Sequence, residues 1–182
     1  MQLNIIHLEH RKDRLHKLHN QLFEQNITSY KIWNGVLDED NPKQGIAKAH
    51  KQIIQWAHDQ SLPSVIIAED DLKFTSPGAF AYFISNEPKE YDLYLGGISY
   101  GKINNDNSVK DFAGLTLYKI NQTFYKTFLS LPEEMDIDRT LANRGRYIVC
   151  DPFIVIQHNG FSDNKKEYQN YDSYFQDRKL FQ

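Results

Sequence analysis

The chain has 182 residues, 40% hydrophobic and 25% charged, proportions that exclude a fibre or a disordered tail and fit one globular domain with a substantial core. A formal net charge of −3 argues against a nucleic-acid surface, and the single cysteine, Cys150, excludes an intramolecular disulfide or a Cys-rich zinc site. No apolar run reaches membrane-spanning length and the N-terminus lacks a signal-peptide pattern, so the expected location is the cytoplasm.

Leu3–Leu8 reads as a first strand. A helix follows at once, with Leu15, Leu18, Leu22 and Phe23 on one face. The turn between them, Glu9 to Arg14, carries Arg11 and Arg14 at the carboxyl end of the strand, where open α/β sheets bind ligands. Guanidinium groups there suit phosphates, although a solvated first helical turn has the same composition. Tyr30–Trp33 reads as a second strand, and a polar loop runs to Pro42. A helix from near Gly45 follows, its face made by Ile46, Ala49, Ile53, Ile54 and Ala57. His50 sits beside that stripe, either as a core histidine or as a ligand.

Ser64–Ala68 is a short β-branched run that reads as a strand buried on both faces, and it ends in Glu69-Asp70-Asp71. Side chains alternate along a strand, so Glu69 and Asp71 point one way and Asp70 the other. Like charges about 4 Å apart repel by roughly 4 kcal/mol at an effective dielectric near 20, which favours a counter-cation or a raised pKa. Hard oxygen ligands suit Mg²⁺ or Mn²⁺. A solvated loop, or a helix N-terminus with a capping Asp, is the alternative.

Ser76-Pro77 has the form of a helix start, with Phe80, Phe83 and Ile84 on the buried face. Tyr91–Leu95 reads as a strand ending in Gly96-Gly97, and residues 99–111 as a mobile loop. Leu115–Ile120 is a further strand, after which Asn121 caps a helix. A short helix starts near Asp136, a capping candidate, with Asp138 in its first turn. Strands at Tyr147–Cys150 and Phe153–Gln157 lead to His158 and a polar, tyrosine-rich tail without periodicity. Residues 1–164 thus form a single domain and 165–182 a tail, and the alternation of elements implies an α/β sheet with helices on both faces.

Several of these pieces, in this order, resemble glycosyltransferase family 25, which includes lipooligosaccharide galactosyltransferases and collagen galactosyltransferases. Ile6-His7-Leu8-Glu9-His10-Arg11-Lys12-Asp13-Arg14 is similar to the family's opening Ile-Asn-Leu-x-x-Arg-x-x-Arg, and Gly45 to His50 to its Gly-Cys-x-x-Ser-His. Ile66 to Asp71 resembles the strand ending Leu-Glu-Asp-Asp, and Ile137-Asp138-Arg139-Thr140-Leu141 resembles Val-Asp-x-x-Leu. Tyr118 after Gly114, and the set Pro152, Gln157, Ser162 and Asp163, extend the likeness over residues 3–164. His7 replaces the family asparagine, and Ile46 and Ala49 replace its cysteine and serine.

The resemblance implies a GT-A type fold, with a mostly parallel central sheet, and a metal-dependent glycosyltransferase. It would move a hexose, galactose or glucose, from a UDP-sugar to a cell-surface glycan acceptor such as lipooligosaccharide, with inversion. That role in lipopolysaccharide biosynthesis places a cytoplasmic protein in peripheral contact with the inner membrane face, without a membrane span. Mn²⁺ or Mg²⁺ would be held by Asp71, with Glu69 on the same side touching the metal, its water or the ribose. His158 is the late metal ligand and Asp163 its competitor. Arg11, Arg14, His50, Glu69 and Asp70 are expected around the donor, and Asp138 as the catalytic base. The alternatives are a non-catalytic nucleotide-sugar binding relative of the same fold and a metal-dependent phosphatase. The phosphatase lacks a nucleophilic Asp after the first strand.

Overall fold

A computed structural model describes residues 2–182; Met1, the first residue of the domain read over 1–164, lies outside the described residues. The leading half alternates as expected: β1 (Leu3–His7), α1 (Lys12–Glu24), β2 (Tyr30–Asn34), α2 (Pro42–Asp59) and β3 (Ser64–Glu69). α2 starts ahead of Gly45, with Pro42 in its first turn, where the missing N–H leaves no helical bond unmade. Next come β4 (Leu72–Phe74), a strand the sequence did not suggest, α3 (Ala79–Ser85) and β5 (Leu93–Leu95). α3 begins at Ala79 and not on Ser76-Pro77, because Gly78, at φ +84°, breaks the chain's path just before it.

Residues 99–111 are not an open loop. β6 (Tyr100–Gly101) pairs with β8 (Phe112–Ala113), and β7 (Ser108–Val109) joins the edge of the main sheet. β9 (Leu117–Asn121), α4 (Tyr125–Leu129), α5 (Ile137–Thr140), β10 (Tyr147–Val149) and β11 (Val155–Gln157) follow. Asn121 accepts the Thr123 N–H at 3.1 Å, as a cap should. Asp136 does not cap α5; its carboxylate takes the Lys43 ammonium at 2.8 Å instead. The chain closes with β12 (Gly160–Ser162), β13 (Glu167–Gln169) and α6 (Asp172–Phe175), so the stretch read as a tail carries structure and buries Phe175.

Seven strands form one sheet in the order β2-β1-β3-β9-β5-β10-β7. Five of them, β2, β1, β3, β5 and β10, run the same way, and β9 and β7 run against them. The protein is therefore α/β, with a central, mostly parallel sheet and helices on both faces. Among the described residues no helix is long and apolar enough to cross a membrane.

Alternation along β3 divides the interior in two. Val65 and Ile67 pack with Ile53, Ile54 and Ala57 of α2, while Ile66 and Ala68 pack with Leu18 and Leu22 of α1 and Phe83 of α3. Burying a leucine such as Leu18 contributes about 1.5–3 kcal/mol, so the α1 stripe is enough to hold that helix on the sheet. Phe23, expected on the same stripe, is 84% exposed. One residue past Leu22 lies about 100° further round the helix, which takes Phe23 off the face that meets the sheet.

Candidate active site

β1, β2 and β3 end together, and a cleft opens beyond their carboxyl ends, where open α/β sheets place ligands. The acidic triplet is delivered to it by β3, and the strand's alternation decides where each side chain goes. Glu69 points to the α2 side, with its Oε1 3.3 Å from His50 Nε2. His50 Nδ1 in turn lies 2.9 Å from the Tyr118 hydroxyl of β9. The ring is buried, so His50 ties α2, β3 and β9 together at the cleft floor. One turn earlier a Cβ on Gly45 would come within 2.3 Å of the Val36 carbonyl oxygen, so only glycine lets α2 close on the loop after β2.

Asp70 points to the α1 side. Its carboxylate meets His7 Nδ1 at 2.7 Å and Arg14 Nη1 at 2.8 Å, and all three groups are largely enclosed. Asp70 is thus committed to bracing the strand end. Asp71 lies two residues beyond the end of β3, with its Oδ2 3.3 Å from Arg14 Nη1 and its Oδ1 buried without a partner. Burial, and then the charge of Glu69, push its pKa up to about 7, against the pull of Arg14 and Gln157. For Arg14 burial works against the charge, but Asp71 and Asp70 prevail and hold it firmly protonated.

The two arginines of the first turn part company. Arg14 lines the cleft. Arg11 is buried, and its guanidinium is taken up by Asp13 at 2.9 and 3.0 Å, by Asp163 and by the Phe161 carbonyl. It serves to pin β12 to α1. Asp163 reaches the cleft wall, yet it is spent on Arg11 and on His10 at 3.2 Å. Burial alone would raise its pKa, but those two partners hold it below the ordinary carboxylate range.

His158 is not among the cleft residues. Its backbone N–H donates to the Asp71 carbonyl at 2.8 Å, and its ring Nε2 is buried without a hydrogen-bond partner. Burial, Lys17, Lys73 and Arg14 push its pKa down to about 4. The preceding residue, Gln157, takes the inward position of β11 and faces Asp71, as alternation on a strand requires.

Asp138 also lines the cleft, and it accepts the Gly114 N–H on Oδ2 at 2.9 Å and the Arg139 N–H on Oδ1 at 2.8 Å. Gly114 has φ +107°, a conformation glycine adopts without strain, and this aims its N–H at the carboxylate. Burial nevertheless raises the pKa of Asp138, outweighing both hydrogen bonds, with Glu69 and Asp136 adding to the rise. Lys43 and Asp136 form an ion pair on the cleft rim beside it.

The cleft therefore gathers Arg14, His50, Glu69, Asp70, Asp71 and Asp138, and leaves out Arg11 and His158. Among the described residues no three His, Cys, Asp or Glu side chains converge into a ready metal cage. The donors present do fit a hard divalent cation of the kind that shares its shell with water and phosphate oxygens. Asp71 offers a buried oxygen lacking any partner, and Glu69 lines the same cleft. Sequence reasoning missed Tyr171, which lines the cleft from the stretch just before α6. Only the high tyrosine content hinted at it.

No family model and no curated protein matches the chain. Among solved structures it is similar to a glycosyltransferase involved in the glycosylation of the major capsid of PBCV-1, at 14% identity and a TM-score of 0.49, over 83% of this chain and 81% of that one. It is also similar to HddC from Yersinia pseudotuberculosis complexed with GMP-PN, at 12% identity and a TM-score of 0.44, over 82% and 89%. A stronger likeness is to A197 from STIV, at 11% identity and a TM-score of 0.53, over 92% of this chain and 91% of that one, and it shows the fold alone.

Proposed function

We propose that this chain is a metal-dependent glycosyltransferase of GT-A type. It transfers a hexose, galactose or glucose, from a UDP-sugar to a cell-surface glycan such as lipooligosaccharide, with inversion at the anomeric carbon. It works in the cytoplasm, in peripheral contact with the inner membrane face where such an acceptor is built. The observation that carries this reading is the gathering of acidic positions in one cleft. Its lining holds Asp71, whose Oδ1 has no partner, Glu69, and Asp138, which is held by two backbone N–H groups.

Asp71 and Glu69 are the residues that would hold Mn²⁺ or Mg²⁺; a bound cation neutralises diphosphate charge and so favours departure of the nucleotide. Asp70 keeps the end of β3 in place through His7 and Arg14, and His50 fixes Glu69 from behind. Asp138 is the base. Its fixed carboxylate takes the proton of the acceptor hydroxyl as that oxygen bonds to the anomeric carbon, while the carbon–oxygen bond to UDP breaks and its electron pair leaves with UDP. A raised pKa brings Asp138 closer to neutrality, where a base is most effective.

A non-catalytic nucleotide-sugar binding relative is the second reading, favoured by one contact. Arg14 sits 3.3 Å from Asp71, so a resident cation already touches the carboxylate assigned to the metal. The two readings part in a transfer assay with UDP-galactose and UDP-glucose against lipooligosaccharide-type acceptors. Manganese-dependent release of UDP that increases with acceptor supports the enzyme. UDP binding without hydrolysis or transfer across the acceptor panel supports the relative.

A further inference from the structure

Tyr171 enters the cleft from outside the alternating part of the fold, and its position is fixed with unusual economy by one side chain. Asn159, just after β11, accepts the Tyr171 backbone N–H on Oδ1 at 2.7 Å and donates from Nδ2 to Asp172 Oδ2 at 2.9 Å. Both ends of one amide are thus spent on holding the chain at 171–172 against the body. The ring of Tyr171 packs on the apolar interior, and the residue lines the cleft together with Ser162 of β12, Asp71 and Glu69.

Several features favour a ligand-facing role over a packing role. The residue is half-buried, lines the cleft, and carries a hydroxyl among lining residues that include Asp71 and Glu69. A phenol is protonated near neutral pH, so toward an anion it offers a hydrogen. Tyr171 lines the same cleft as Asp71 and Glu69, the two residues assigned to the cation at the donor phosphates.

We propose that Tyr171, held by Asn159, is a donor-binding residue whose hydroxyl donates a hydrogen bond to a phosphate oxygen of a bound nucleoside diphosphate. The assignment rests on the nucleotide-sugar reading of the cleft. Asn159 is then a positioning residue, and the segment beyond residue 164 belongs to the binding machinery.

The test is calorimetry of UDP and of uridine, each with Mn²⁺, on the full chain and on Tyr171→Phe and Asn159→Ala. A hydrogen bond to a charged group contributes enough for Tyr171→Phe to weaken UDP binding by about tenfold while uridine binding and the melting temperature stay unchanged. Asn159→Ala should weaken UDP in the same selective way, because it loosens the segment and removes no ligand contact. UDP binding by Tyr171→Phe at wild-type strength overturns the proposal and leaves the donor reading intact. Equal weakening of UDP and uridine also overturns it, since the residue would then act on the nucleoside or on the fold. If the wild-type chain binds no UDP at all, the donor reading itself fails, and this proposal with it.

Discussion

His7 Nδ1 lies 2.7 Å from Asp70 Oδ2, with both side chains about 6% exposed, so a buried His–Asp pair joins the ends of β1 and β3 under the cleft. Arg14 closes the group from α1. Breaking a buried pair by removing one partner leaves the others uncompensated and costs about 3–5 kcal/mol. Asp70→Ala should therefore lose about that much stability in urea denaturation, whereas Asp13→Ala, on a mostly exposed carboxylate, should lose much less. Equal losses for the two variants would mean that Asp70 is not a brace.

Asp71 predicts an unusual pH response in the metal-free protein. Its pKa is about 7 when folded and about 3.9 when unfolded. The raised value means that its neutral form stabilises the fold fully at low pH, and that this contribution is lost as pH rises through about 7. His158 acts in the opposite sense, with a folded value of about 4 against about 6.5 unfolded, so it adds stability as pH rises over that range. The difference between wild type and Asp71→Asn removes the histidine. In thermal melts with a chelator, wild type should lose ground to Asp71→Asn between about pH 4 and about pH 7. A difference that does not change with pH would contradict the buried, crowded setting described for Asp71.

Asp138→Asn keeps the shape of the side chain and an oxygen for one backbone N–H, but it removes the base. General-base contributions run to about 10²–10⁴-fold, so turnover should fall by that factor with UDP affinity unchanged. Turnover within a few-fold of wild type, measured under saturating donor, would remove Asp138 from the chemistry.

Much of this was legible from alternation and periodicity. The period of two along Ser64–Asp71 was enough to separate Asp70 from Glu69, and the apolar stripe of α2 was enough to put His50 on the sheet. The remaining placements depend on partners and register set by distant parts of the chain. Arg11 is claimed by Asp163, far along the chain, while Arg14, three residues on, meets the triplet. Gln157 is the last residue of β11 and His158 the one after it, and the register of that strand on β4 puts Gln157 in the cleft lining. Tyr171 gave no periodic signal, because a single amide from Asn159 holds it in place.

The central claim is that Asp71 and Glu69 form the cation-dependent seat of a nucleoside diphosphate, and calorimetry of UDP with and without Mn²⁺ on wild type and Asp71→Ala tests it most directly. The account predicts UDP binding that requires Mn²⁺ in wild type and disappears in Asp71→Ala. No binding by wild type in the presence of the metal, or undiminished binding by Asp71→Ala, would contradict it.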